Sequence, residues 1–247
     1  MRRGAIFLTL LLPAALAAPA CEKGTHRAAR RTFEELMTRA LPPADRAAAL
    51  ERFVTEYPEP KTNPYLKRAC MLLADHRTRA GRPDLGASWL ERAVRADADD
   101  PDLLNALGYH YARHGMNLDR AKDVLEKAVR LSEERDLPPR RQGFIKDSLG
   151  WCYRMRGELA LAVALLEEAG RLAPDTAIIR QHLAETYRAL GERERAADLY
   201  LDLIRTAGGE EPAYRKALAE LGREGGPAYA REIERRLRDV QLQAPGR

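Results

Sequence analysis

The feature that most constrains this chain is a repeat. Between Gly143 and Gly208 one pattern of small and large residues occurs twice at a spacing of 34 residues. Leu149 falls on Leu183, Gly150 on Ala184, Tyr153 on Tyr187, Gly157 on Gly191, Ala162 on Ala196 and Leu166 on Tyr200. A unit of this length is a single supersecondary element that cannot bury its own apolar face. Copies must stack, and the core then runs continuously along the stack. Gly150 and Ala184 are small where two helices are expected to cross. Gly157 and Gly191 stand where a first helix ends and a positive φ is needed. Ala162 and Ala196 let a second helix approach closely, and Leu166 and Tyr200 fill the space between successive units.

The pattern extends upstream. A unit beginning at Pro101 carries Leu104, Leu107-Gly108, Tyr111, Gly115, Ala121, Leu125 and Ala128, with one extra residue in its turn around Met116-Asn117-Leu118. A weaker copy at 67–100 carries Leu73-Ala74, Gly81, Leu90 and Ala93, with Arg77 and Gly86 departing from the pattern. These residues resemble the tetratricopeptide repeat (TPR) family, in which Leu-Gly, Tyr, Gly, Ala, an aromatic or Leu, Ala and Pro recur in that order. The copy with Leu149-Gly150, Tyr153, Gly157, Ala162, Leu166, Ala169 and Pro174 departs only at the first large position, where Lys146 stands. The resemblance implies an all-α fold, a right-handed TPR superhelix (an α-solenoid) of antiparallel helix pairs.

The chain divides accordingly: a leader at 1–20, a polar basic tether at 21–31, a degenerate helical pair at 32–63, four repeats at 67–100, 101–135, 143–176 and 177–210, and a degenerate capping pair at 211–242. Thr32 is the expected N-cap of the first helix, with Glu35 as its acid. Pro42-Pro43, Pro58 and Pro60 mark helix ends. The charged stretch 131–142 delays the next repeat from residue 135 to Gly143; it must bulge out as a loop or extend the helices on either side.

Arg2 and Arg3 followed by the apolar run Ala5 to Ala18 read as a secretory signal peptide. The run is shorter than the roughly 20 residues a spanning helix needs. Ala18-Pro19-Ala20 forms an A-x-A cleavage site directly before Cys21, an arrangement that resembles the lipobox of bacterial lipoproteins. That resemblance implies lipidation of Cys21 and, with Glu22 next to it, a place on the periplasmic face of the outer membrane. Ordinary A-x-A cleavage with Cys21 left as a thiol is the alternative, giving a periplasmic or secreted protein. Cys70 and Cys152 fall on first helices separated by a whole unit, and two buried thiols are expected there.

The chain is 45% hydrophobic and 32% charged, with a formal charge of +5. Its basic residues alternate with acids, as in Glu192-Arg193-Glu194-Arg195, which suits solvated helix faces more than a nucleic-acid stripe. No G-x-S-x-G, phosphate-loop or H-E-x-x-H motif occurs. His110 and His114 share a helix face and could hold a metal in a weak metal-dependent enzyme, but nothing nearby in sequence completes a ligand set. The reading is therefore a non-enzyme with no cofactor and no small-molecule substrate.

The family resemblance implies that first helices line a concave inner surface. The residues there that the repeat does not fix are Asn105, Tyr109 and Arg113; Asp147, Trp151, Arg154 and Met155; and Gln181, Glu185 and Arg188. Spacings of three or four put each set on one face. Aromatic and Arg residues dominate interface hot spots, so this face is the expected groove for a protein or peptide partner. Trp151 could instead pack against the 131–142 stretch. The Lys, Asn and Arg clamp with which some TPR domains hold a C-terminal carboxylate is absent. A lipoprotein leader joined to a helical-repeat body also suits a pilotin-like outer-membrane lipoprotein that assists secretin or type IV pilus assembly.

Overall fold

The computed structural model describes residues 19–61, 63–206 and 212–243. Of the leader expected at 1–20, residues 1–18 lie outside the described residues, as do Gly208 and Gly209. Twelve helices and no strand occur among those described. They are α1 (Pro19–Thr38), α2 (Pro43–Glu56), α3 (Leu66–Arg79), α4 (Pro83–Ala96), α5 (Pro101–Arg113) and α6 (Leu118–Glu134), followed by α7 (Pro139–Met155), α8 (Leu159–Leu172), α9 (Ala177–Leu190), α10 (Arg193–Thr206), α11 (Pro212–Glu224) and α12 (Pro227–Gln243). The chain forms two compact units that meet in sequence at Leu73–Ala74, inside α3.

In the first unit, α1 starts well before the expected N-cap at Thr32. The stretch 21–31 is helical where a tether was expected. The sequence holds no proline between Pro19 and Pro42. Arg30–Glu34 and Arg31–Glu35 pair one turn apart, and Ala29 is fully buried, so burial and local charge pairing carry the helix through. Phe33 is the centre of this unit. Its ring lies 5.4 Å from that of Phe53 on α2 and stacks on Tyr65 at 4.7 Å. Two prolines, Pro42 and Pro43, begin α2 because a proline at the first helical position loses no hydrogen bond.

The second unit is an α-solenoid of antiparallel helix pairs. Within pairs, α5 packs on α6, α7 on α8, α9 on α10 and α11 on α12. Between pairs, α6 and α5 both meet α7, and α8 and α7 both meet α9. Helix crossings are close where the sequence places glycine. A Cβ on Gly108 would overlap Cγ of Leu125, and one on Gly150 would sit 2.7 Å from Cγ of Leu166. Both leucines are fully buried, so no side chain can move aside there. The turns between helices use left-handed residues: Gly115, Gly157 and Gly191 have φ of 62°, 81° and 85°. The extra residue in the α5–α6 turn is absorbed by Asn117, which takes φ 43° ahead of α6. Asn tolerates that region better than most residues with a Cβ.

The charged stretch 131–142 extends its flanking helices. α6 runs to Glu134 and α7 begins at Pro139, so only residues 135–138 link them. Asp136 turns the chain at φ 47°, and Leu137 packs with Val124, Ala128 and Ile145. Lys146, which replaces the large apolar residue of the repeat, is buried. It bonds Glu133 on α6 and Glu168 on α8, each at 2.6 Å. Burial alone would lower its pKa, but the hydrogen bonds to Glu133 and Glu168 outweigh burial and raise it. An ionic bridge thus replaces an apolar plug between two helices. Cys70 and Cys152 are buried thiols, and burial pushes Cys152 up to about 11.

Each recurring tyrosine has a second role beyond filling the core. Tyr111 on α5 donates its hydroxyl to Glu91 on α4, Tyr153 on α7 to Glu126 on α6 at 2.9 Å, and Tyr187 on α9 to Glu167 on α8. In every case the first helix of one pair is bonded to the second helix of the pair before it. Burial first, and then the carboxylate partner, raises all three phenols, Tyr111 and Tyr153 to about 12.

Two outcomes are expected. Gly150→Val should lower stability by about 1–3 kcal/mol through overpacking against Leu166. Gly170→Ala should hold or raise stability, because a Cβ there meets nothing within 4 Å and glycine is a poor helix former. Chemical denaturation of the two variants beside the parent decides this. The raised phenols favour the folded state while neutral, so their contribution is complete below the ordinary tyrosine value of about 10. It is lost as pH climbs through about 12. Helicity followed by circular dichroism should therefore fall across that window, and less steeply in Tyr111→Phe with Tyr153→Phe.

Candidate functional site

The inner residues of α5, α7 and α9 converge on a histidine that no repeat position requires. His182 is buried, and its Nδ1 lies 2.9 Å from Oδ1 of Asp147, joining α9 to α7. The Trp151 ring lies 4.3 Å from the His182 ring at 31°, and the Tyr109 ring lies 6.2 Å from it. The guanidinium of Arg154 covers Trp151 at 4.6 Å. Tyr109, His182, Trp151 and Arg154 thus form a layer of rings and one cation across three successive pairs. Guanidinium stacks of this kind contribute about 0.5–2 kcal/mol depending on exposure.

Trp151 is half-buried, and its ring packs against His182 and Arg154. Its indole Nε1 is buried with no hydrogen-bond partner among the described residues, as is Oδ1 of Asn105. Asp147 is buried and engaged with His182. It therefore orients the site from below. Arg113 is exposed at the end of α5 and acts on the Tyr109 hydroxyl, which burial raises and Arg113 partly lowers. Met155 offers its Sδ to Arg154 at 3.7 Å.

Past Trp151 the charges alternate. Gln181 donates to Oε1 of Glu185 at 3.0 Å, while Oε2 of Glu185 stands 3.6 Å from Nη2 of Arg154. Arg188 reaches forward to α11, where it bonds Glu220 at 3.1 Å and chelates Glu224. These hydrogen bonds raise Arg188 and hold the Glu224 carboxyl below its ordinary value. The ten residues read from the sequence thus fall into three groups. Tyr109, Trp151, Arg154, Gln181, Glu185 and Arg188 form a continuous partly exposed strip. Asp147 lies beneath it. Asn105, Arg113 and Met155 stand at its edges. The sequence reading missed His182, Glu220 and Glu224. The i,i+4 acid pair of α11 was a legible signal; His182 had none, since its meaning depends on contact with Asp147 35 positions away.

The two histidines considered as metal ligands point elsewhere. His110 is buried with Nε2 2.9 Å from the Pro83 carbonyl, and its ring packs 4.7 Å from His114. Partial burial, then His110 and Arg113, lowers the exposed His114. Among the described residues no group of three or more His, Cys, Asp or Glu is placed to hold a metal ion, and no helix is long and apolar enough to cross a membrane.

No protein-family model matches the sequence, and no curated protein matches it. Solved structures do match. PilW, described as a widely conserved type IV pilus biogenesis factor, superposes with a TM-score of 0.65 at 15% identity, over 90% of this chain and 94% of that one. Pseudomonas aeruginosa PilF gives 0.57 at 17% identity, over 90% and 88%. TTC0263, a thermophilic TPR protein of Thermus thermophilus, gives 0.53 at 23% identity, over 81% and 98%. At these identities the likeness concerns the backbone, and it establishes that this chain has the all-helical TPR fold.

Proposed function

We propose that this protein is a non-catalytic scaffold that binds an extended segment of a partner protein along the inner strip of α5, α7 and α9. The observation that carries the proposal is the strip itself. Tyr109, Trp151, Arg154, Glu185 and Arg188 come from three successive pairs and form one surface around His182. Alternating aromatic, cationic and anionic groups at the pitch of the stack suit a chain that crosses several pairs. Its backbone and side chains would find both donors and acceptors there. Repeat folds in general present their binding surfaces this way.

The second part of the proposal is location. The leader and Cys21 support an exported lipoprotein held at the periplasmic face of the outer membrane. Two of the similar structures, PilW and PilF, favour a role in pilus or secretin assembly, since PilW is a type IV pilus biogenesis factor. A metal-dependent activity at His110 and His114 is disfavoured by the bond that His110 makes to Pro83.

Tyr109→Ala combined with Trp151→Ala should abolish pull-down of the bound protein while leaving helicity intact. Retention of the same partners by the double variant would sink the groove assignment. Palmitate labelling of the full chain in its host should be lost in Cys21→Ser. Labelling that persists would show that Cys21 is not the anchor.

A further inference from the structure

Between α9 and α11 the inner strip opens into a recess of about 350 Å³, lined by Arg154, Glu185, Arg188, Ala189, Tyr200, Ala217 and Glu224. Its floor is unusual. Tyr200 is only 1% exposed, yet no described group hydrogen-bonds its hydroxyl. The other recurring aromatic hydroxyls of the stack, on Tyr111, Tyr153 and Tyr187, are all satisfied by glutamates. Tyr200 lines the recess, and its hydroxyl is committed to no described group, so it is open to a group that enters. Burial pushes the phenol up to about 12, so it keeps its proton at neutral pH.

The walls narrow the choice. Arg188 is already engaged by Glu220 and Glu224. Arg154 and Glu185 are not saturated by one another: Nη2 and Oε2 are 3.6 Å apart, a separation too long for a good hydrogen bond. Each therefore retains a bonding site facing the recess. The open groups are a phenol hydroxyl, a guanidinium donor and a carboxylate acceptor, and their charges cancel. A carboxylate entering here would meet Glu185 and Glu224. An ammonium would meet Arg154 and Arg188. An aliphatic side chain would offer the hydroxyl, Arg154 and Glu185 nothing to bond. A carboxamide carries both a carbonyl acceptor, for Tyr200 and Arg154, and an N–H donor, for Glu185.

We infer that this recess is a side-chain pocket that takes the carboxamide of an asparagine or glutamine in the segment lying along the groove, with Tyr200 and Arg154 donating to its oxygen and Glu185 accepting from its nitrogen. The inference rests on the groove reading above. It adds a sequence preference that groove binding alone does not require.

An array of random-sequence peptides with amidated C-termini, probed with the full chain, tests it. Bound peptides should be enriched in Asn and Gln at one position. Remaking them with Glu, Lys or Leu at that position should weaken binding by about tenfold or more. Tyr200→Phe should remove the preference for Gln over Leu and leave the thermal midpoint unchanged, since the hydroxyl makes no bond in the free protein. Binding that is indifferent to the substitution, better with Glu or Lys, or unaltered in Tyr200→Phe overturns the pocket and leaves the groove standing. Failure of any peptide to bind, or equal binding to the Tyr109→Ala, Trp151→Ala double variant, overturns both.

Discussion

The structure depends on two helix crossings so close that a methyl group would not fit. At Gly108 and Gly150 the space of a Cβ is already taken by Leu125 and Leu166. That closeness fixes the angle and depth at which second helices meet first helices. It thereby fixes the spacing at which successive first helices present their inner residues. Tyr109, Trp151 and His182 come within ring contact because α5, α7 and α9 are held at that spacing. Packing at the outer layer is the cause of the chemistry at the inner one.

The inner strip has the character of a built surface and not of loose side chains. Asp147 fixes His182, His182 supports Trp151 and Trp151 carries Arg154. Arg188 is fixed from the next pair by two glutamates. Most of the rotamer entropy that binding would otherwise cost is already lost in the free protein, which favours affinity for a matching segment. The exception is the Arg154–Glu185 pair, which is loose, and it borders the recess floored by Tyr200.

The frame was legible in the sequence because it is periodic. Leu149, Gly150, Tyr153, Gly157 and Ala162 recur for reasons of packing, and packing repeats when the units repeat. The start of α1 was misplaced because Thr32 and Glu35 form a good local cap signal, while the burial of Ala29 is a tertiary fact. The stretch 131–142 gave two outcomes, and the turn at Asp136 with Leu137 packed, partly buried, against the cluster that holds Ile145 selected helix extension. At the site, the ten inner residues were found by what the repeat leaves unspecified. His182 was not, because a single histidine acquires its meaning only when Asp147 and Trp151 are folded against it. Tyr200 was read as core filler, and so it is; the uncommitted hydroxyl distinguishes it from Tyr111, Tyr153 and Tyr187.

The bonds from Tyr111, Tyr153 and Tyr187 back to Glu91, Glu126 and Glu167 change how such a stack comes apart. Stability in a linear array divides into what each unit holds alone and what it shares with its neighbours. These bonds belong wholly to the second part. A pair at the end of the run forfeits one of them on opening, whereas a pair in the middle forfeits two. Melting is thereby driven inward from the ends, and the middle pairs, which carry Tyr109 and Trp151, are the last to lose their register.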